Sequence, residues 1–128
     1  MKLFVTENDS TTGNLFIGLK NNKLSSFDNE EDAKKFFENE KYEKHEFVFR
    51  KINFGISRKL QEKSFVMRDG SYVFDPIAFR FERCLSTLKS WNLIDESGNS
   101  VPITKEAIES LDSGVANSLL LLCDKLVQ

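Results

Sequence analysis

An α+β domain is what the sequence predicts: a small N-terminal antiparallel sheet with a short helix, followed by a C-terminal helical bundle of three to four helices. Three observations predict it. His45 to Ile52 alternates, with Phe47 and Phe49 on one side and Val48, Arg50 and Ile52 on the other, the period of a strand. Asp75-Pro76 opens a segment whose apolar residues recur at helical spacing up to Trp91. Val115 to Val127 has only Asn117, Ser118, Asp124 and Lys125 as clearly polar residues and reads as a third kind of element, a helix apolar on more than one face. With 128 residues the chain has the length of one domain. Residues 1–52 are read as its β-rich part and 53–128 as its helical part, sharing one core, because either half alone would be marginal.

In chain order, Lys2 to Val5 reads as a short strand and Glu7 to Asn14, which includes Gly13, as a polar turn. Leu15 to Leu19 is a second apolar run, and the two runs form either a hairpin, the favoured reading, or two unpaired edge segments. Asn21-Asn22-Lys23 is a turn. Asp28 or Asn29 then caps a short helix whose first turn holds Glu30, Glu31 and Asp32, where the helix dipole favours negative charge. Its Phe36-Phe37 pair fits a helix lying on a sheet, with a docking knob as the sharper alternative. After the His45–Ile52 strand, Asn53 or Ser57 caps a helix reaching about Met67, with Ile56, Leu60 and Met67 at helical spacing. Arg68 to Ser71 is a turn.

Asp75 as N-cap and Pro76 at the first helical position make the strongest helix start in the chain. Ile77, Phe81, Cys84, Leu85, Leu88 and Trp91 then share one face over four turns, while Phe79 lies off that stripe and either widens the core or marks a contact surface. Asp95 to Asn99 is a surface turn without the ligand spacing of a calcium loop. Thr104 caps a short helix to Ser110, and Asp112 or Ser113 caps the last one. That helix, with Leu119, Leu120, Leu121 and Leu122 in succession, must be central in the fold or bury a second face against another chain.

Composition narrows the function. Twelve phenylalanines stand against two tyrosines and one tryptophan, so most aromatic rings are expected in a core or an interface. A net charge of -2 argues against a general affinity for nucleic acid or anionic lipid. The basic region of Arg50, Lys51, Arg58, Lys59, Lys63 and Arg68 is read as a solvated helix face before a nucleic-acid patch. Cys84 and Cys123 lack metal-type spacing and are read as two buried free thiols, with a disulfide as the alternative. The glycines form no phosphate loop, and His45, the single histidine, has no partner cysteine or second histidine for catalysis or metal binding. No cofactor, no metal and no enzymatic activity are expected. The longest late apolar run, Leu119 to Cys123, falls far short of the about 20 residues of a membrane span, and the N-terminus lacks signal-peptide features, so the expected location is cytoplasmic.

Trp91, Asn92, Leu93, Asp95, Glu96, Gly98, Val101, Pro102, Thr104, Glu106, Ala107, Ile108 and Leu111 follow the run W-N-L, D-E, G, V-P, T and E-A-I, and Val115, Leu119 and Leu122 continue it into the last helix. In this run the chain resembles the tail assembly chaperones of long-tailed bacteriophages, over roughly residues 45–127. The N-terminal part to about Lys44 lies outside the resemblance. What it implies is a non-enzymatic chaperone in the host cytoplasm that binds the tape measure protein, the tail tube protein or both, with a homo-oligomer as a further option. The candidate partner-binding residues are Phe79, Leu93, Leu119, Leu120, Leu121 and Leu122. The alternatives are a structural virion subunit of tail, neck or baseplate and a small nucleic-acid-binding regulator, whose binding would weaken steeply with salt.

Overall fold

The structure is a computed structural model and describes residues 1–127. It is α+β. In chain order the elements are β1 (Ser10–Lys20), β2 (Lys23–Phe27), α1 (Glu30–Phe37), β3 (Tyr42–Arg50), α2 (Phe54–Lys63), β4 (Phe65–Arg68), β5 (Ser71–Phe74), α3 (Pro76–Thr87), β6 (Leu88–Trp91), α4 (Lys105–Glu109) and α5 (Ser113–Leu126). The main sheet has the order β2-β1-β3-β6 and its recorded pairings are antiparallel, while β4 and β5 form a separate two-stranded sheet.

Alternation along β1 sends its residues to two opposite layers. Leu15 is fully buried and meets Phe47 and Phe49 of β3 and Leu119, Leu122 and Cys123 of α5 in the larger core. Phe16 points the other way, into a smaller cluster with Ala33 and Phe37 of α1. Two glycines permit this closeness. A Cβ on Gly13 would lie 2.5 Å from Leu126 and 2.9 Å from Leu122, and one on Gly18 would lie 2.9 Å from the Phe37 ring. So α5 covers one face of the sheet and α1 the other. The short helix with Phe37 inward is indeed a helix lying on a sheet.

Five helices begin on caps that the sequence offered. Asn29, Asn53, Asp75, Thr104 and Asp112 each accept a hydrogen bond from a backbone N–H of their helix's first turn. Several strand readings need correction. Lys2 to Val5 forms no strand. The polar residues Ser10 to Asn14, read as a turn, instead start β1 and pair with Glu46 to Arg50. The hairpin is β1–β2, closed by Asn21 and Asn22 with φ 55° and 62°, a two-residue turn of the primed type that asparagine tolerates. The helix expected to reach Met67 stops at Lys63, where the buried Ser64 hydroxyl donates to the Leu60 carbonyl at 2.8 Å. Beyond it stands the β4–β5 hairpin, which had no place in the sequence reading and turns on Asp69 (φ 51°) and Gly70 (φ 80°).

The four-turn helix to Trp91 also ends early, at Thr87. Leu88 to Trp91 becomes β6 against β3, with a register shift at Val48/Phe49 that lets both Leu88 and Trp91 join the core. The second half is therefore not wholly helical, and its helices do not gather apart from the strands. Instead α3 packs on α2 and α5, and α5 packs on β1 and β2. Leu15, Phe47 and Phe49 from the first half and Cys84, Leu119 and Val127 from the second share one cluster.

Candidate functional site

The residues expected to bind a partner do not form one surface. Leu119 and Leu122 are buried in the larger core, because the face of α5 that carries them is turned onto the sheet. Leu120 is partly buried against the same core. Only Leu121 is mainly exposed, at 57%. Phe79 is partly buried, its ring 5.7 Å from that of Phe74 and beneath the Arg83 guanidinium at 5.1 Å. Leu93 also packs on the core from its edge. The apolar surplus of α5 meets β1 and β2 on one side and α3 on another.

Of the six residues, Leu93 leads to an open site. A cleft of about 760 Å³ is lined by Ile17, Leu19, Leu24, Leu93 and Ile94, with Tyr42, Glu43 and His45 among its polar neighbours. Its position follows from strand register. Ile17, Leu19 and Leu15 alternate onto the same face of β1; Leu24 of β2 pairs with Leu19 and His45 of β3 with Leu15. This is the face that α5 covers. The helix runs back along it from Leu126 and Leu122 at Gly13 to Ser118, whose hydroxyl is 2.5 Å from that of Ser26, the partner of Ile17. Leu19 and Leu24 lie beyond the covered strip, 57% and 41% exposed, and Ile94 across the cleft is 63% exposed.

His45 sits at the back of this cleft. Its Nε2 is 3.2 Å from a Glu43 carboxylate oxygen, and its Nδ1 is buried without a hydrogen-bond partner. Asn92 holds the adjoining loop to β3 by accepting the Glu46 N–H at 3.0 Å, and the Trp91 indole N–H donates to the Val101 carbonyl at 2.6 Å. Leu93 and Ile94 are thereby fixed at the cleft wall. Sequence reasoning missed Leu19, Leu24 and Ile94 as surface residues. Their only signal was an apolar side chain beside a turn.

A second exposed apolar area is the β4–β5 hairpin, where Phe65, Met67, Tyr72 and Phe74 share one face by register and all are exposed. The basic region is dispersed by the fold. Arg50 donates to the Ser86 carbonyl at 3.0 Å, Arg58 lies 3.8 Å from Glu62, and Arg68 pairs with Asp75 at 3.3 Å. Among the described residues there is no group of three or more His, Cys, Asp or Glu side chains placed to hold a metal ion, and no helix long and apolar enough to cross a membrane.

Fold and site together define an α+β domain with an open apolar cleft on the sheet face. Comparison with protein-family models, curated proteins and solved structures yields no match.

Proposed function

We propose that this chain is a non-enzymatic binding protein that shelters an apolar helical segment of a partner, as the resemblance to phage tail assembly chaperones implies. The partner would be the tape measure protein, the tail tube protein or both, met in the host cytoplasm. The observation that carries the reading is the apolar cleft at Leu19, Leu24 and Ile94, a continuation of the surface on which α5 already lies. A sheet face that accepts one helix offers the next strip to another, and an amphipathic helix seats its apolar stripe in such a groove. Crossing from β2 to the loop after β6 at about 4.8 Å per strand gives a track roughly 14 Å long, or about ten residues of helix. Glu40, Lys41 and Glu43 at its edge supply charges of both signs.

The test is co-expression with the tape measure protein, followed by co-purification and a solubility assay. Leu19→Glu with Ile94→Glu should lower affinity on the order of 100-fold, since each substitution removes roughly 1–2 kcal/mol of apolar burial. The thermal transition should stay near that of the parent protein. Full retention of the complex by the folded double variant would refute the cleft as the site.

A second reading, a structural virion subunit, draws on the β4–β5 hairpin, which among the described residues has no further strand beside it and so offers edges to a neighbouring subunit. Presence of the protein in purified mature particles would select that reading over a chaperone.

A further inference from the structure

Cys84 on α3 and Cys123 on α5 are both fully buried and belong to the same core cluster. Both lie where α3 packs against α5. Thr87, one turn after Cys84, places its Oγ1 3.6 Å from the Cys123 sulfur. The two helices are clamped at this point. Arg80 Nε donates to the Asp124 carboxylate at 2.9 Å, and Arg83 reaches the other oxygen of the same carboxylate. The Arg83–Asp124 ion pair and the Thr87–Cys123 contact bracket the two cysteines and place them opposite each other across the α3–α5 contact.

We propose that Cys84 and Cys123 form an oxidation site, closing to an internal disulfide that staples α3 to α5. The oxidant is a low-molecular-weight disulfide of the glutathione class. The Cys123 thiolate attacks one sulfur of oxidised glutathione; its S–S bond breaks, one glutathione leaves as thiolate, and a mixed disulfide forms. Cys84 gives its proton to solvent and attacks the Cys123 sulfur, expelling the second glutathione. Two protein thiols are oxidised and one glutathione disulfide is reduced to two thiols, so the electrons balance.

The local chemistry suits that order. The neighbouring Cys123 thiol, then burial, holds Cys84 well above the usual thiol range as the protonated partner. The Cys84 thiol in turn lowers Cys123, opposed by burial and aided by Thr87 and the Arg83 charge. Because neither sulfur meets solvent, the first step must pass through a local opening of α3 and α5, and oxidation will be slow beside that of an exposed thiol. Once formed, the bond closes a loop of about 40 residues and restrains the unfolded chain.

The experiment incubates the folded full chain with oxidised glutathione, quenches with acid, and alkylates remaining thiols in denaturant before intact-mass measurement. The expected product has lost two hydrogens and takes up no alkyl group, and its Tm is higher on the order of 10 °C until a reductant is added. Cys84→Ser should instead stop at a glutathione adduct or a free Cys123 thiol. The proposal is overturned if both thiols stay reduced in the folded protein while the urea-unfolded chain oxidises under the same treatment. It is equally overturned if the folded protein ends as a mixed adduct, or if the disulfide form melts below the reduced one.

Discussion

Truncating neighbouring leucines of α5 tests the placement of that helix directly. Leu119 and Leu121 are two residues apart and therefore about 200° apart around the helix axis. Leu119 is fully buried among Leu15, Phe47 and Phe49, whereas Leu121 is 57% exposed. Leu119→Ala removes core methyl groups and leaves a cavity that a sheet and a second helix cannot easily close, a loss of about 3 kcal/mol. Leu121→Ala removes atoms that are mostly in water already and should cost about 1 kcal/mol or less. Unfolding entropy for a chain of this size converts 1 kcal/mol to about 4 °C. The expected Tm losses are then about 12 °C for Leu119→Ala and at most about 4 °C for Leu121→Ala. Circular dichroism melts, with urea titration to verify an unchanged m-value, read both. Equal losses, or a larger one for Leu121→Ala, would refute the orientation of α5 and reopen the leucine run as a binding face.

Other substitutions report on particular contacts. Gly13→Ala drives a methyl group into Leu122 and Leu126, so it should destabilise by roughly 1–3 kcal/mol in urea titration although alanine is otherwise harmless in an extended strand. Asp112→Ala strips the cap that accepts from the Gly114 and Val115 N–H groups and should cost about 1 kcal/mol, with Asp112→Asn recovering most of it. Asp9 titrates below its ordinary value of 3.8 because Lys2 donates to its carboxylate, helped by the Thr6 N–H. A depressed folded pKa means that the carboxylate's contribution is present above 3.8 and fades as pH falls through the folded value; NMR titration should show the Asp9 midpoint moving up toward 3.8 in Lys2→Ala.

Helix starts were legible in the sequence because a cap is local chemistry: a short polar side chain reaching an N–H two or three residues ahead. Asn29, Asn53, Asp75, Thr104 and Asp112 all act in that way. The aromatic face of β3 was legible for a similar reason, since Phe47 and Phe49 need only the two-residue period. Helix ends were less so. Leu88 and Trp91 stand three apart, a spacing that fits a continuing helix, and only pairing with Phe47 to Phe49, some forty residues earlier in the chain, makes them a strand. Ile56, Leu60 and Met67 mislead in the same manner at β4. The polar start of β1 is harder still. Gly13 looks like a turn residue, but its lack of a side chain serves a contact with Leu122 and Leu126, more than a hundred residues away in the chain. The cleft was invisible for that kind of reason too: Leu19, Leu24 and Ile94 are each unremarkable beside a turn, and only strand register puts them on one face.

Placing the proposed site on the sheet instead of on α5 alters what binding the proposal allows. The four leucines suggested a broad helix face and a strong anchor, but α5 spends most of that apolarity between the sheet and α3. What is left is Leu19, Leu24 and Ile94, each roughly half exposed. Full burial of such side chains is worth about 1.5–3 kcal/mol each, so the exposed remainder contributes on the order of 2–5 kcal/mol. Association costs roughly 4–15 kcal/mol before any contact is gained. Under the proposed function, one helical segment in one cleft would therefore be held weakly, even with help from Leu93 and the rim charges. Useful retention requires many cleft-bearing chains along one partner, or several segments of the partner engaged together, where linkage raises the effective concentration. A long, repetitive helical partner meets that requirement and a single short helix does not. On this reasoning an isolated partner helix should be captured poorly, while a partner with many such segments should be kept soluble by several copies of the chain and released as each contact is replaced.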